Sequence, residues 1–249
     1  MKSSDSRLKG RGKIVFEDLH LYNGYTKMEL IELIKSKEAY KRTIAVKLLS
    51  EKSDLSDDLM HLFLNTLAQE KKLYTKIELC DALSKGGRES AKVMVEYLGK
   101  IGNNQHKVLP TDGFNKNSYP LPRDIIARTL AHMDEEILPI LLYVLKANNP
   151  FEIQEGIDAI GFICFNRKIH RHSQIIDALI QCLKDHYNDE IIRWKLVRSF
   201  ESFNDINMIK ILQHIEQEDI QPIIRIEAKR SLSIINNRTK GWKNDLSSV

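Results

Sequence analysis

Few of the 249 residues break or staple the chain: it has 3 cysteines, 6 prolines and 11 glycines. So little proline and glycine excludes a collagen-like or low-complexity chain. Cys80, Cys164 and Cys182 stand 84 and 18 positions apart with no CxxC pair. That pattern fits neither a disulfide framework nor a zinc site, so reduced, buried thiols are expected. Long apolar runs are missing too. The longest, Ile137 to Leu145, covers nine positions and includes Pro139, whereas a spanning helix needs roughly 20 residues. Met1 to Lys13 is polar and basic with no apolar stretch behind it, so a cytoplasmic location is expected. Nor does one sign of charge dominate, because 38 Lys and Arg face 34 Asp and Glu, a net +4. Phosphate-cradling GxxxxGK[ST], GxSxG and HExxH are all absent, and Gly10-Arg11-Gly12 lies in a basic segment rather than between a strand and a helix. The eight histidines are scattered, and the acidic clusters Asp57-Asp58, Asp134-Glu135-Glu136 and Glu216-Glu218-Asp219 fall at expected helix ends. These absences point away from an enzyme, with no catalytic residue, metal or cofactor expected.

What is present is a repeat. Ile191 to Phe200 aligns without a gap on Ile223 to Leu232, sharing Ile-Ile-Arg at the start and Arg-Ser-apolar at the end, at an offset of 32. With the basic residue as position zero, the frame recurs at Arg42, Lys76, Arg123, Ile153, Arg193 and Arg225. Three residues on stand Ala45, Leu79, Ile126, Gly156, Leu196 and Ala228; seven on stand Leu49, Leu83, Leu130, Ile160, Phe200 and Leu232. Positions zero, three, four and seven share one helix stripe, which is the expected buried face, and one, two, five and nine lie opposite. The column at plus six, Leu48, Ala82, Thr129, Ala159, Ser199 and Ser231, is mostly small and suits close helix approach.

A second amphipathic segment precedes each frame: Thr26 to Ser36, Ser56 to Gln69, Glu89 to Lys100, Asp134 to Lys146, Ser173 to His186 and Asp205 to Gln217. Each unit therefore reads as a helical hairpin. Thr26 and Glu29 have capping-box spacing. Only Lys13 to Tyr22 alternates enough to suggest a strand, and it reads equally as an extended arm. A lone unit of about 35 residues cannot bury its stripe, so stacking of neighbours is required.

The proline within Ile137-Leu138-Pro139-Ile140-Leu141, followed by Asn149-Pro150 and Ala159-Ile160-Gly161, resembles a HEAT repeat, as do the Ile-Ile-Arg units at Arg193 and Arg225. The resemblance covers Thr26 to Asn237 and implies an all-α, right-handed α-α superhelix, an α-solenoid of about six HEAT-like hairpins. The expected organisation is a basic N-terminal arm over 1–25, a solenoid over 26–237 with a long inserted loop at 102–122, and a polar basic tail over 238–249. The resemblance also implies that the arginines at position zero form a ladder with acidic residues from the preceding turns, Glu70 before Lys76 and Asp219 before Arg225.

Frame spacings of 34, 47, 30, 40 and 32 place the one long insertion at Gly102 to Pro122, which holds half of the prolines. Loops this long are uncommon and often functional. His106, Lys107, Phe114, Lys116 and Tyr119 are its candidate contacts; equally, the loop reads as a Pro-stiffened connection whose Leu109, Phe114 and Tyr119 cover the solenoid's groove or flank. A shorter insertion, Asn166 to Ser173, carries a basic cluster that reads as a solvated loop, since His170 and His172 lack further ligands at metal spacing. On the face opposite the stripe, plus five reads Lys47, Asp81, Arg128, Asp158, Arg198 and Arg230, a mixed row ill suited to a phosphate track. Its C-terminal half gathers Trp194, Lys195, Arg198 and Arg230, expected to be exposed, with Arg238, Lys240, Trp242 and Lys243 following. Binding residues are accordingly expected at His106, Lys107, Tyr119, Arg128, Trp194, Lys195, Arg198 and Arg230. The expected function is a non-enzymatic adaptor that binds a protein or peptide on the concave face, with no membrane partner. A nucleic-acid protein similar to HEAT-like DNA glycosylases is the alternative, and a lyase-type HEAT subunit a second. An exposed Lys195 would tolerate alanine within about 0.5 kcal/mol.

Overall fold

In a computed structural model of the chain, the structure describes residues 4–52 and 54–246, the side chains of 240–246 excepted. Among these residues there is no strand. The helices are α1 (Asp5–Lys9), α2 (Phe16–His20), α3 (Lys27–Leu33), α4 (Ala39–Lys52), α5 (Asp57–Gln69), α6 (Leu73–Lys85), α7 (Gly87–Met94), α8 (Ile125–Ala131), α9 (Leu138–Val144), α10 (Pro150–Asn166), α11 (Ser173–Asp185), α12 (Glu190–Ser199), α13 (Ile206–Glu218) and α14 (Pro222–Leu246). From α3 onward they alternate as the repeat requires, first helix then second. Four frame residues lie within α4, α6, α12 and α14, Ile153 lies in α10, and Arg123 stands two residues ahead of α8. None of the helices is long and apolar enough to cross a membrane.

The helix starts have local causes. The Thr26 hydroxyl accepts the Glu29 N–H at 3.3 Å while the Glu29 carboxylate accepts the Thr26 N–H at 2.7 Å, the expected capping box. Asp124, Asp189 and Asp205 each cap their helix by accepting two backbone N–H groups, satisfying donors that a helix start leaves open.

The chain packs as two compact units, Met1–Tyr97 and Leu98–Val249. In the first, α4 lies on α6, and α5, α6 and α7 pack mutually. Its N-terminal stretch is neither strand nor extended arm: it holds α1 and α2, and Lys9 pairs with Asp18 at 2.7 Å. Gly12 explains the Gly-Arg-Gly sequence. It has φ +90, and a Cβ there would lie 2.4 Å from the Thr75 hydroxyl, so only glycine lets the turn press this closely on α4 and α6.

In the second unit, α8, α10, α12 and α14 pack each on the next, while α9, α11 and α13 back α10, α12 and α14. The stripe columns are buried as expected, with Leu196, Ala228, Leu130, Ile160 and Phe200 all at 0% exposure. Leu232 is the exception and is half-buried. Among the described residues no later hairpin covers it, and Gln213, His214, Lys229 and Asn236 make a polar surface around it. The plus-six column is buried throughout, and the Ser231 hydroxyl donates to the Val197 carbonyl at 3.1 Å to join α14 to α12. Cys164 and Cys182 are free and buried, and burial pushes both thiols up to about 12.

The arginine ladder exists with a different register from the expected one. Arg42 makes a two-point contact with Glu70, at 2.8 Å each, and Arg193 binds Asp219 at 2.7 and 3.3 Å. Each arginine thus reaches forward to the turn of the following hairpin, not back to its own. Its own turn supplies a carbonyl six residues earlier instead: Ser36 for Arg42, Tyr187 for Arg193, Asp219 for Arg225. A guanidinium can serve both because its donors are forked.

Candidate functional site

The 102–122 insertion lies wholly within the second unit and crosses the second-helix row as a strap. Its ends are pinned together. The Gln105 side-chain amide donates to the Ile101 carbonyl at 2.9 Å and to Asp124, the α8 cap, at 2.7 Å. The Pro122 carbonyl accepts from Arg128 Nε at 2.8 Å. Between these anchors the strap meets α12, α14 and α10. His106 stands edge-on to Trp194 of α12, ring centroids 4.8 Å apart. Phe114 lies under the Arg230 guanidinium of α14 at 4.9 Å, and that guanidinium donates to the carbonyls of Lys116 at 2.9 Å and Ser118 at 3.2 Å. Tyr119 enters α10 at Gly161, flanked by Phe162 and Phe165. A Cβ at Gly161 would stand 2.0 Å from the Tyr119 hydroxyl, so the glycine is a socket for the ring.

Beneath the strap runs a network of charges. Lys195 Nζ lies 2.7 Å from Glu155 and 2.8 Å from Asp158, and the lysine and Glu155 side chains are fully buried. Arg198 reaches Glu227 at 3.4 Å and stacks on Trp194 at 3.9 Å, while the Trp194 indole N–H donates to Glu227 at 3.2 Å. Arg230 closes the chain by binding Glu227 at 2.9 Å and Glu201. Trp194, Lys195 and Arg198, expected to be exposed, are therefore buried. The helical period placed them opposite the apolar stripe correctly, but the strap covers that opposite face, so α10 and α12 are enclosed on both sides. Buried ions survive only when paired, which is why four carboxylates share this interior with three cations.

Burial shapes the titrating groups. Glu155 is pushed up to about 7 by desolvation, against the pull of Lys195 and with Asp158 adding to the rise. Desolvation likewise raises Glu201 to about 7 and, helped by the Lys195 charge, lowers His106 to about 4, so its imidazole is neutral at pH 7. Five buried polar atoms at this interface have no hydrogen-bond partner among the described residues: Tyr119 Oη and His106 Nδ1 on the strap, and Asp158 Oδ1, Glu155 Oε2 and Arg198 Nε beneath it. A cavity of about 300 Å³ opens beside it, walled by His106, Pro110, Phe114, Arg123, Trp194 and Arg198.

Of the expected binding residues, His106, Tyr119, Trp194, Lys195, Arg198 and Arg230 come together at this interface. Lys107 and Arg128 lie at its edge, exposed. Arg238 also reaches inward, donating to the Phe165 carbonyl at 2.9 Å. The side chains of Lys240, Trp242 and Lys243 lie outside the described residues. In the shorter insertion, Arg167 pairs with Asp134 at 2.7 Å, and among the described residues no three metal-ligating side chains lie together. Sequence reasoning missed the buried acids Glu155, Glu201 and Glu227. A signal existed: Glu155 and Glu227 share position plus two with Lys195, a column of charge in helices otherwise rich in apolar residues.

No protein-family model and no curated protein sequence matches the chain. Solved structures do match. An archaeal HEAT-like repeats protein from Thermococcus onnurineus NA1 is 14% identical, covering 95% of this chain and 98% of that one, with a TM-score of 0.39. A designed armadillo repeat protein is 12% identical over 84% of this chain and all of its own, TM-score 0.32. An engineered protein solved by a structural-genomics consortium is 18% identical over 85% and 98%, TM-score 0.37.

Proposed function

We propose that the second unit is a protein-interaction module that receives an extended peptide segment along the row of second helices, α8, α10, α12 and α14. One observation carries the reading: this row already holds a non-helical segment of its own chain, through bonds from Arg230 to two backbone carbonyls and an aromatic socket at Gly161. Backbone capture plus side-chain pockets is how extended peptides are read generally. Lys107 and Arg123 lie exposed at the edge, with no ion pair among the described residues, and favour a partner with acidic flanks. A nucleic-acid track finds less support, because Arg42, Arg193, Lys195, Arg198 and Arg230 are all engaged by carboxylates and cannot also neutralise phosphates.

Panning a displayed library of 12-residue peptides on the full chain tests this. Enriched peptides should lose binding when Arg230→Gln is introduced and should be acid-flanked. Failure to enrich any sequence on either the wild-type chain or a variant with the strap weakened at Phe114 and Tyr119 would overturn the reading.

A further inference from the structure

We propose that residues 112–119 of the strap are an intramolecular ligand, and that the partner is an extended peptide of the same class, with two aromatic side chains five residues apart, which binds once the strap is displaced. This rests on the peptide-recognition reading and specifies its ligand.

The strap is held as a ligand is held, not as a core element. Its two aromatic anchors, Phe114 and Tyr119, use separate receptor groups, the Arg230 guanidinium on α14 and the Gly161 socket on α10. Between them only backbone carbonyls, at 116 and 118, are bound, while the side chains of Asn115, Lys116, Asn117 and Ser118 lie exposed. The receptor therefore reads an aromatic, four residues of free choice, and a second aromatic. A segment tied to its receptor at both ends competes at millimolar effective concentration, so a free peptide sees only the fraction of molecules with the strap away. The same interface leaves polar atoms of Tyr119, His106, Asp158, Glu155 and Arg198 buried without partners among the described residues.

The probe is a fluorescein-labelled synthetic peptide spanning residues 110–122, followed by polarisation against the full chain. Wild type should bind weakly, and Phe114→Ser with Tyr119→Ser should bind at least tenfold more tightly, about the gain expected when a self-ligand is released. Adding Gly161→Ala to that double variant should cost at least tenfold, because the Cβ fills the socket that the peptide tyrosine needs. Alanine is the better helix former, so the added change leaves α10 intact. A probe with both aromatics replaced by serine should not bind. The inference is overturned if a double variant that retains its cooperative melting transition fails to bind the probe, or binds the serine probe equally. Should the double variant not fold, millimolar probe added to wild type must speed amide exchange over 112–119, and unchanged exchange would equally refute it. If peptides from panning bind the double variant while the strap peptide does not, the recognition reading stands and this inference alone fails.

Discussion

Lys195→Met separates a buried charge network from a surface one. Methionine keeps most of the lysine's volume and removes only the ammonium, leaving Glu155 and Asp158, 0% and 3% exposed, without the cation 2.7 and 2.8 Å away. Breaking a buried pair by deleting one partner costs about 3–5 kcal/mol, against about 0–1 for an exposed pair. The sign with pH is fixed as well. Burial already raises Glu155 to about 7, and losing Lys195 raises it further. A carboxyl raised in the folded state binds its proton there more readily than in the unfolded chain, so stability falls as pH rises through that window, by up to about 1.4 kcal/mol per unit. The penalty of Lys195→Met should thus grow between pH 7 and 9. Urea unfolding followed by circular dichroism and by Trp194 fluorescence, in a Trp242→Phe background, measures it. Adding Glu155→Gln and Asp158→Asn should restore most of the loss. A loss below about 1 kcal/mol, independent of pH, would place Lys195 in solvent and refute the covered face.

Phe200→Ala should cost about 3–5 kcal/mol and Leu232→Ala less than about 2, because Phe200 is fully buried and Leu232 borders a polar surface; equal losses in chemical denaturation would contradict that difference in burial. The His106 ring should titrate near 4 by NMR. Kept neutral in the folded state, it makes stability decline as pH falls from about 6.5 to 4, a loss that His106→Gln should abolish.

The hairpin repeat was legible because burial leaves a period. Ala45, Leu49, Leu79 and Leu83 repeat at plus three and plus seven, and the first helices carry stripes of their own. The 102–122 insertion was legible as an interval of 47 where neighbours run from 30 to 40. That Phe114 and Tyr119 cover the helices was one of two readings of it, but the groups that receive them were not legible, because a strap with no regular structure has no period to read, and nothing local in it names Gly161 or Arg230 as receptors. Everything that depended on that destination was misjudged with it: Trp194, Lys195 and Arg198 lie opposite the apolar stripe, and only the strap turns that side into interior. The ladder shows a smaller failure of the same kind. Glu70 and Asp219 were recognisable partners, but the choice between their own arginine and the preceding one depends on how successive hairpins stack.

Acrylamide quenching of Trp194 in the Trp242→Phe chain tests the covered face most directly. Trp194 is 2% exposed, with His106 of the strap against one edge and Arg198 on its face. The ring should be shielded from quencher in the native chain and become accessible when Phe114→Ser and Tyr119→Ser release the strap. Free quenching in the native chain, or shielding unchanged by that release, would contradict it.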